Sequence, residues 1–394
     1  MGQLFCAVQK RMGFAWSINN TMMISATYIC PVKGLASLEP PEQARLGQVA
    51  RVAKNLGLER LLLPVLEESL LKTSRARVSY LEGLIKDLDQ VAEAGLTAWL
   101  IAPAQRLLGL DWVPPHLVKA GRDSKAGRVF LEGRLRNLWP YNWWNDLSIL
   151  QKRLKIFREL VAAVSGHPAL TGWLIMDRAL EWSRPDTEVA NLVLKSYMAE
   201  IRERDESGSI CMGLGWSELL NPEMAQILTQ QVDGVRMSGL ESLPQGLSST
   251  TGLAGELLMA SYLGALSQWI FGQPIEVEVG WGFLDQALNP EEISEAGKRL
   301  AKQDLPGVTW LSLIDPEPRL HTQPPWGQWP GLEHVGLLNH GLEPKEWVEP
   351  LLKEIRTTET RHENNDFIDL SPEEYLVDPQ THLFRLWEHF FKSN

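Results

Sequence analysis

Short apolar strands and amphipathic helices alternate eight times along this chain, and few architectures accept that rhythm. Met22–Cys30 (MMISATYIC) reads as a first strand. The helix Pro40–Leu56 follows, with Leu46, Val49, Val52, Ala53 and Leu56 on one stripe and Gly57 as its stop. Arg60–Val65 is a continuous apolar run, as expected of a strand covered on both faces. Further strands are read at Thr97–Ala102, Leu170–Met176, Ser209–Leu214, Val232–Met237, within Gln273–Phe283, and at Gly307–Ile314. Helices at Ser74–Ala94, Leu147–Ser165, Thr187–Glu203, Pro222–Gln231, Leu253–Phe271, Pro290–Gln303 and Pro344–Ile355 separate or follow them. Eight such units predict an α/β fold, a closed (β/α)8 barrel. An open doubly wound sheet would want a glycine-rich phosphate turn after the first strand, and Val32-Lys33-Gly34-Leu35 lacks that spacing. The expected organisation is a barrel over residues 1–356, then 357–394 as a polar linker (TTETRHENND) and an amphipathic C-terminal helix (THLFRLWEHFF). That helix offers an apolar face to the barrel or to a partner protein. The piece from Pro103 to about Asn145 reads as a long irregular loop of the kind that carries function.

Composition narrows the ligand class. A net charge of −11 argues against a nucleic-acid surface, which needs clustered Lys and Arg. Sixteen Trp against six Tyr is unusual, and flat indole faces stack on sugar rings as well as filling cores. The three cysteines, Cys6, Cys30 and Cys211, are far apart and suggest neither a disulfide framework nor a metal pair. No apolar run spans a bilayer and no leader with a cleavage site is visible, so the chain reads as cytoplasmic. The eight His are scattered without ligand spacing, so no metal is assigned, and no cofactor motif is present. No Gly-x-Ser-x-Gly elbow marks a serine hydrolase.

The stretch QPIEVEVGWGF is the odd one. It alternates Ile275, Val277 and Val279 with Glu276 and Glu278, and buried carboxylates must be paired, protonated or working. In a (β/α)8 barrel the site lies at the C-terminal strand ends. Those ends gather Glu67 and Glu68, Gln105 and Arg106, Asp177, Arg178 and Glu181, Trp216 and Glu218, Arg236 and Ser238, Glu278 and Trp281, and Asp315. A ring of carboxylates and indoles around one mouth fits two-carboxylate glycoside chemistry.

Four segments in order resemble clan A glycoside hydrolases, especially family 5 cellulases and mannanases: GHPALTGWLIMDRALEW, QPIEVEVGWG, GVTWLSLIDP and GLLNHGLEPKEW. The resemblance spans about residues 20–355. It implies a barrel acting on a β-linked poly- or oligosaccharide, with Glu278 at the nucleophile position. It implies carbohydrate contacts from Trp281 and Trp310, which fall where the family packs an aromatic floor. Trp143 and Trp144, with Trp139 and Tyr141, read either as a stacking platform or as a plug under the loop, and Trp216 adds an indole at the fifth strand end.

The departures are as informative. The family's acid/base Glu falls on Arg178 and the Asn before it on Asp177. Its strand-two Arg falls on Leu62, and its strand-six His on Met237 or Ser238. Arg does not donate a proton at neutral pH. Opposite Glu278 it would pair with that carboxylate instead. Glu181, three residues on, and Asp177, which strand alternation turns away if Arg178 faces inward, are candidate replacement acids, and Glu218 after the fifth strand is a third. Two readings follow. One is a glycosidase with Glu278 as nucleophile and Glu181 or Asp177 opposite it, Arg178 contacting substrate. The other is a barrel that has lost hydrolysis and binds a saccharide or serves as a scaffold.

Overall fold

The computed structural model describes residues 22–29, 43–71, 73–104, 106–112, 114, 117–119, 127–131, 134–140, 143–182, 185–240, 247, 252–281, 290–303, 305–323, 326–328, 331–358 and 366–393. Eight parallel strands close on themselves: β1 (Met23–Thr27), β2 (Arg60–Leu66), β3 (Thr97–Ala104), β4 (Leu170–Ile175), β5 (Ser209–Gly215), β6 (Gly234–Ser238), β7 (Ile275–Val279) and β8 (Gly307–Trp310). Each pairs with its sequence neighbour, and β8 closes on β1 with Met23 opposite Gly307 and Ala26 opposite Trp310. The predicted (β/α)8 barrel is therefore the observed fold. Cys30 and the first residues of the expected helix at Pro40 lie outside the described residues.

The helices follow the stripes that predict them. They are α1 (Gln43–Asn55), α2 (Ser74–Glu93), α3 (Leu147–Val164), α4 (Thr187–Arg202), α5 (Pro222–Thr229), α6 (Gly252–Phe271), α7 (Pro290–Lys302) and α8 (Val348–Thr357). Asp146 starts α3 by accepting from the backbone N–H groups of Ser148 and Ile149, and Thr73 caps α2 through Ala76. α6 is apolar all round, and a helix without a polar face must be covered on every side. The C-terminal segment covers it. α9 (Pro379–Ser393) buries Leu383, Leu386, Trp387 and Phe390, and Tyr262 of α6 packs on Phe367, Trp387 and Phe390. The Tyr262 hydroxyl donates to the Leu383 carbonyl, and the Tyr375 hydroxyl to that of Leu219. The apolar face of the C-terminal helix thus docks on the barrel, with Phe391 left exposed.

The piece between β3 and α3 is more regular than its sequence implies. Arg106–Leu107, Leu110–Trp112, Gly127–Leu131, Arg134–Pro140 and Val118–Lys119 form a separate small sheet. Gly127–Leu131 runs antiparallel to Arg134–Pro140, with Leu131 opposite Arg134. Gln105, Tyr141 and residues 120–126 lie outside the described residues.

One buried charge site belongs to the scaffold. Asp87 on α2 is buried, its Oδ1 has no hydrogen-bond partner among the described residues, and burial pushes its carboxyl up to about 8. Burial, and then the neighbouring Asp87, also push the Tyr80 hydroxyl above its ordinary range. An unfolded Asp loses its proton near about 3.9. Above that value the folded state holds a proton that the unfolded state has released. The stabilisation is therefore complete below the unfolded value and is lost as pH rises through about 8. Urea unfolding should show stability falling from about pH 5 to pH 8, and Asp87→Asn should flatten that slope. Equal slopes in the two proteins would remove Asp87 as its source.

Candidate functional site

Inside the barrel the side chains are ionic in two layers. The lower layer is built on Arg60 at the start of β2. Its guanidinium lies 2.6 Å from Glu276 Oε1, donates from Nε to Ser25 Oγ at 3.0 Å, and sits 3.8 Å over the Trp99 ring. Thr309 also donates to Glu276, at 3.4 Å. The two inward carboxylates of β7 thus have separate fates, and Glu276 is the paired structural one.

The upper layer sits at the C-terminal strand ends. Arg236 of β6 reaches up between two carboxylates. Its Nη2 is 2.8 Å from Asp177 Oδ2, and its Nη1 is 3.2 Å from Glu278 Oε2. Burial pulls the guanidinium pKa down, but Asp177 and then Glu278 outweigh it and hold it above its ordinary value. Glu278, 6% exposed, also accepts from the Trp281 indole N–H at 3.4 Å. Trp281 is set in place because its backbone N–H and that of Gly280 both donate to Glu256 of α6, at 2.8 and 2.7 Å.

Arg178 stands just past the end of β4. It turns to Glu181, at 2.9 Å from Nε and 2.7 Å from Nη2. The reason is local. β4 ends at Ile175, and Met176 and Arg178 both take left-handed backbone angles, φ 50° and 52°. Non-glycine residues in that region cost about 1–2 kcal/mol each, so such kinks persist where surroundings enforce them. The kink breaks strand alternation, and Asp177 and Arg178 both come to line the hollow. Two glycines of β5 leave the room: a side chain at Gly213 would strike Asp177, and one at Gly215 would strike Glu181. Sequence reasoning ties an inward Arg178 to an outward Asp177, and that rule stops where the strand stops.

Glu181 is held further by Arg106 at 3.3 Å and by the Ser217 hydroxyl at 3.3 Å. Glu218 beside it is buried, and burial and then the Glu181 charge push its carboxyl up to about 7, against the Gly215 N–H, Ser217 and Arg178. Its Oε2 accepts from its own Gly215 backbone N–H at 2.7 Å. Glu218 lines a different cavity, a groove of about 520 Å³ on the side facing the C-terminal segment, with Leu180, Met224, Ile227 and Leu376.

The mouth itself is nearly filled. Thr27, Asp177, Arg178, Arg236, Glu278 and Trp281 enclose a hollow of about 10 Å³, room for about one water. Its roof is the hairpin joining Arg106–Leu107 to Leu110–Trp112, whose tip residues Leu108 and Gly109 have φ 52° and 69°. Leu108 is 1% exposed. Its left-handed backbone costs about 1–2 kcal/mol. Burying the leucine side chain stabilises by about 1.5–3 kcal/mol, so burial wins.

The indoles divide. Among the described residues only Trp281 lines the hollow. Trp143 and Trp144, 2% and 0% exposed, stack on one another at 4.0 Å, and Trp143 lies 3.8 Å beneath the Arg153 guanidinium, which pairs with Glu67. Trp310 is opposite Val279 in register, so when Glu278 and Thr309 face inward it faces the helices. There it donates to the Val335 carbonyl at 2.7 Å and packs on Trp347. Trp216 is half-buried beside the Glu218 turn. Asp315 is paired with Lys345 at 3.0 Å and accepts from the Gly336 N–H. Sequence reasoning places Arg106 and Arg236 at the strand ends but gives neither of them a role. The available signal was a basic residue at an inward position of β6, in register with Glu276. Among the described residues no group of three or more His, Cys, Asp or Glu is placed to hold a metal ion, and no helix is long and apolar enough to cross a membrane.

No family model matches this sequence, and no curated protein matches it. Solved structures do match the fold. A GH5_18 from Bifidobacterium longum subsp. infantis aligns with a TM-score of 0.67 at 17% identity, covering 86% of this chain and 80% of that one. A GH5_18 variant from Streptomyces cattleya in complex with Manβ1-4GlcNAc aligns at 0.64 and 15% identity, covering 85% and 80%. An exo-β-1,4-mannosidase from Opitutaceae bacterium strain TAV5 aligns at 0.65 and 12% identity, covering 85% and 59%. The chain shares the closed barrel fold of these structures.

Removing the central cation would leave two buried carboxylates facing each other. Breaking a buried pair by deleting one partner costs about 3–5 kcal/mol. Arg236→Met should lower unfolding free energy by about that amount, read from urea denaturation at neutral pH. Adding Asp177→Asn and Glu278→Gln should recover much of the loss. A near-neutral single variant would mean that Arg236 does not hold the mouth together.

Proposed function

We propose that this chain is a glycosidase-like barrel that binds a β-linked saccharide at its mouth and does not hydrolyse it by double displacement. The observation that carries this reading is the Arg236 clamp between Asp177 and Glu278, with Arg178 in the place of an acid. Retaining hydrolysis needs one carboxylate free to attack and one carboxylic acid opposite it to protonate the leaving oxygen. Glu278 is tied to Arg236, and Glu181 is tied to Arg178 and Arg106. A carboxylate stabilised by guanidinium partners is a poor proton donor at neutral pH and a weakened nucleophile. The ligand class rests on the neighbours of like fold, two of them GH5_18 structures described with Manβ1-4GlcNAc bound. Trp281 beside Glu278, with Arg178 and Asp177 across from it, would supply the stacking face and the polar contacts to hydroxyl groups.

A second reading keeps hydrolysis and is favoured by one observation. Glu218, raised to about 7, has the pKa of a general acid working near neutrality. It would need to swing from its own turn toward the mouth, since it bonds Gly215 and lines the outer groove.

A panel of aryl β-glycosides and β-mannosides separates the two. The binding reading expects no release above buffer, no difference between wild type and Glu278→Gln, and measurable calorimetric binding of Manβ1-4GlcNAc. Release that Glu278→Gln abolishes would overturn it, and a rate falling above about pH 7 would point to Glu218 as the acid.

A further inference from the structure

We propose that the hairpin Arg106–Trp112 is a built-in plug of the barrel mouth, latched shut through Arg106 and lifted when ligand enters. This rests on the reading of the mouth as the ligand site.

Three observations carry it. The first is where strain is placed. A two-residue hairpin turn with both central residues at positive φ is ordinarily built from Asn-Gly or Gly-Gly, because those residues adopt it freely. Here the first position is Leu108, at φ 52°. A leucine held in that conformation is there for its side chain, and that side chain goes down into the mouth: Leu107 and Leu108 line the same hollow as Asp177, Arg236 and Glu278. Apolar groups thus roof a ring of charges that would otherwise face water or a polar ligand.

The second observation is the attachment. The hairpin does not pair with a neighbouring barrel strand. Its second arm pairs with Gly127–Leu131 of the small sheet, where Trp112 packs on Phe130 at 4.1 Å and donates to the Leu107 carbonyl at 3.1 Å. The plug belongs to an inserted unit that can tilt without opening the barrel's own ladder.

The third is the latch. Arg106 Nη1 lies 3.3 Å from Glu181 Oε2, the oxygen that Arg178 also holds, and 3.2 Å from Asp111 across the hairpin. Asp111 keeps the guanidinium on the hairpin, and Glu181 ties the hairpin to the end of β4. A ligand hydroxyl competing for Glu181 would weaken closure and binding contact together, coupling entry to recognition.

The test reads access to the hollow directly. Ser238, buried and lining the hollow, is replaced by Cys (Ser238→Cys), and its alkylation by iodoacetamide is followed by peptide mass spectrometry in the full chain. Adding Arg106→Gln, which cuts the latch and leaves both leucines, should speed labelling roughly three- to tenfold. Adding Leu108→Gly, a residue suited to that backbone angle, should speed it further. Unchanged labelling with Arg106→Gln means a static roof and overturns the plug. Manβ1-4GlcNAc should bind the Arg106→Gln protein more tightly than wild type by a similar factor. Faster labelling with no saccharide binding in either protein would leave the plug standing and sink the saccharide reading instead.

Discussion

The upper half of this barrel depends on one guanidinium. Arg236 is buried, and an isolated charge in that position would be costly beyond anything packing could offset. It is tolerable because Asp177 and Glu278 approach from the two sides and share it. The dependence also runs the other way. Glu278 and Asp177 are inward carboxylates at the ends of β7 and β4, and without the cation they would repel or take up protons. Much else follows from keeping these three groups together: the kink after β4 that turns Asp177 inward, the missing side chain at Gly213, and Glu256 fixing the backbone that carries Trp281.

The same arrangement explains why Arg178 can stand at the family's acid position without disrupting the fold. Arg178 pairs with Glu181, and the space for that pair comes from Gly215, where a side chain would strike Glu181. Buried ion pairs add little net stability over well-packed apolar residues, but removing one member is costly. A mouth built this way resists single substitutions of its charged residues, because each would strand a charge.

The fold was legible in the sequence because periodicity reports burial directly. Stripes on the helices and apolar runs on the strands placed all eight barrel strands to within a few residues, and the alternation in IEVEV put Glu276 and Glu278 on one face. The site was legible only in part. That Glu278 faces into the barrel follows from alternation, and so does the outward placement of Trp310 once the register of β7 and β8 is known. What the sequence could not convey was partner choice. Arg178 and Arg236 are both arginines at strand ends, and the pairing of Arg178 with Glu181 depends on two left-handed residues after β4 and two glycines of β5. The small sheet after β3 was missed because its strands are short and its turns carry few of the residues that usually mark them. Leu108-Gly109 is the clearest example, a turn whose first residue is chosen for what it covers.

Charge balance at the mouth bears most directly on chemistry. Arg106, Arg178 and Arg236 face Asp177, Glu181 and Glu278, and Asp111 also pairs with Arg106. A retaining glycosidase keeps its pair unbalanced on purpose, with one carboxyl protonated and one ionised, so that protons and charge can move during the reaction. Every cation in the set here is an arginine, which does not give up its proton. Fixed hydrogen-bond donors and acceptors of this kind remain well suited to gripping hydroxyl groups, where orientation matters and proton transfer does not. Arg178 where the resemblance implies an acid, and the Arg236 clamp on Glu278, are the two features on which the proposed binding reading rests.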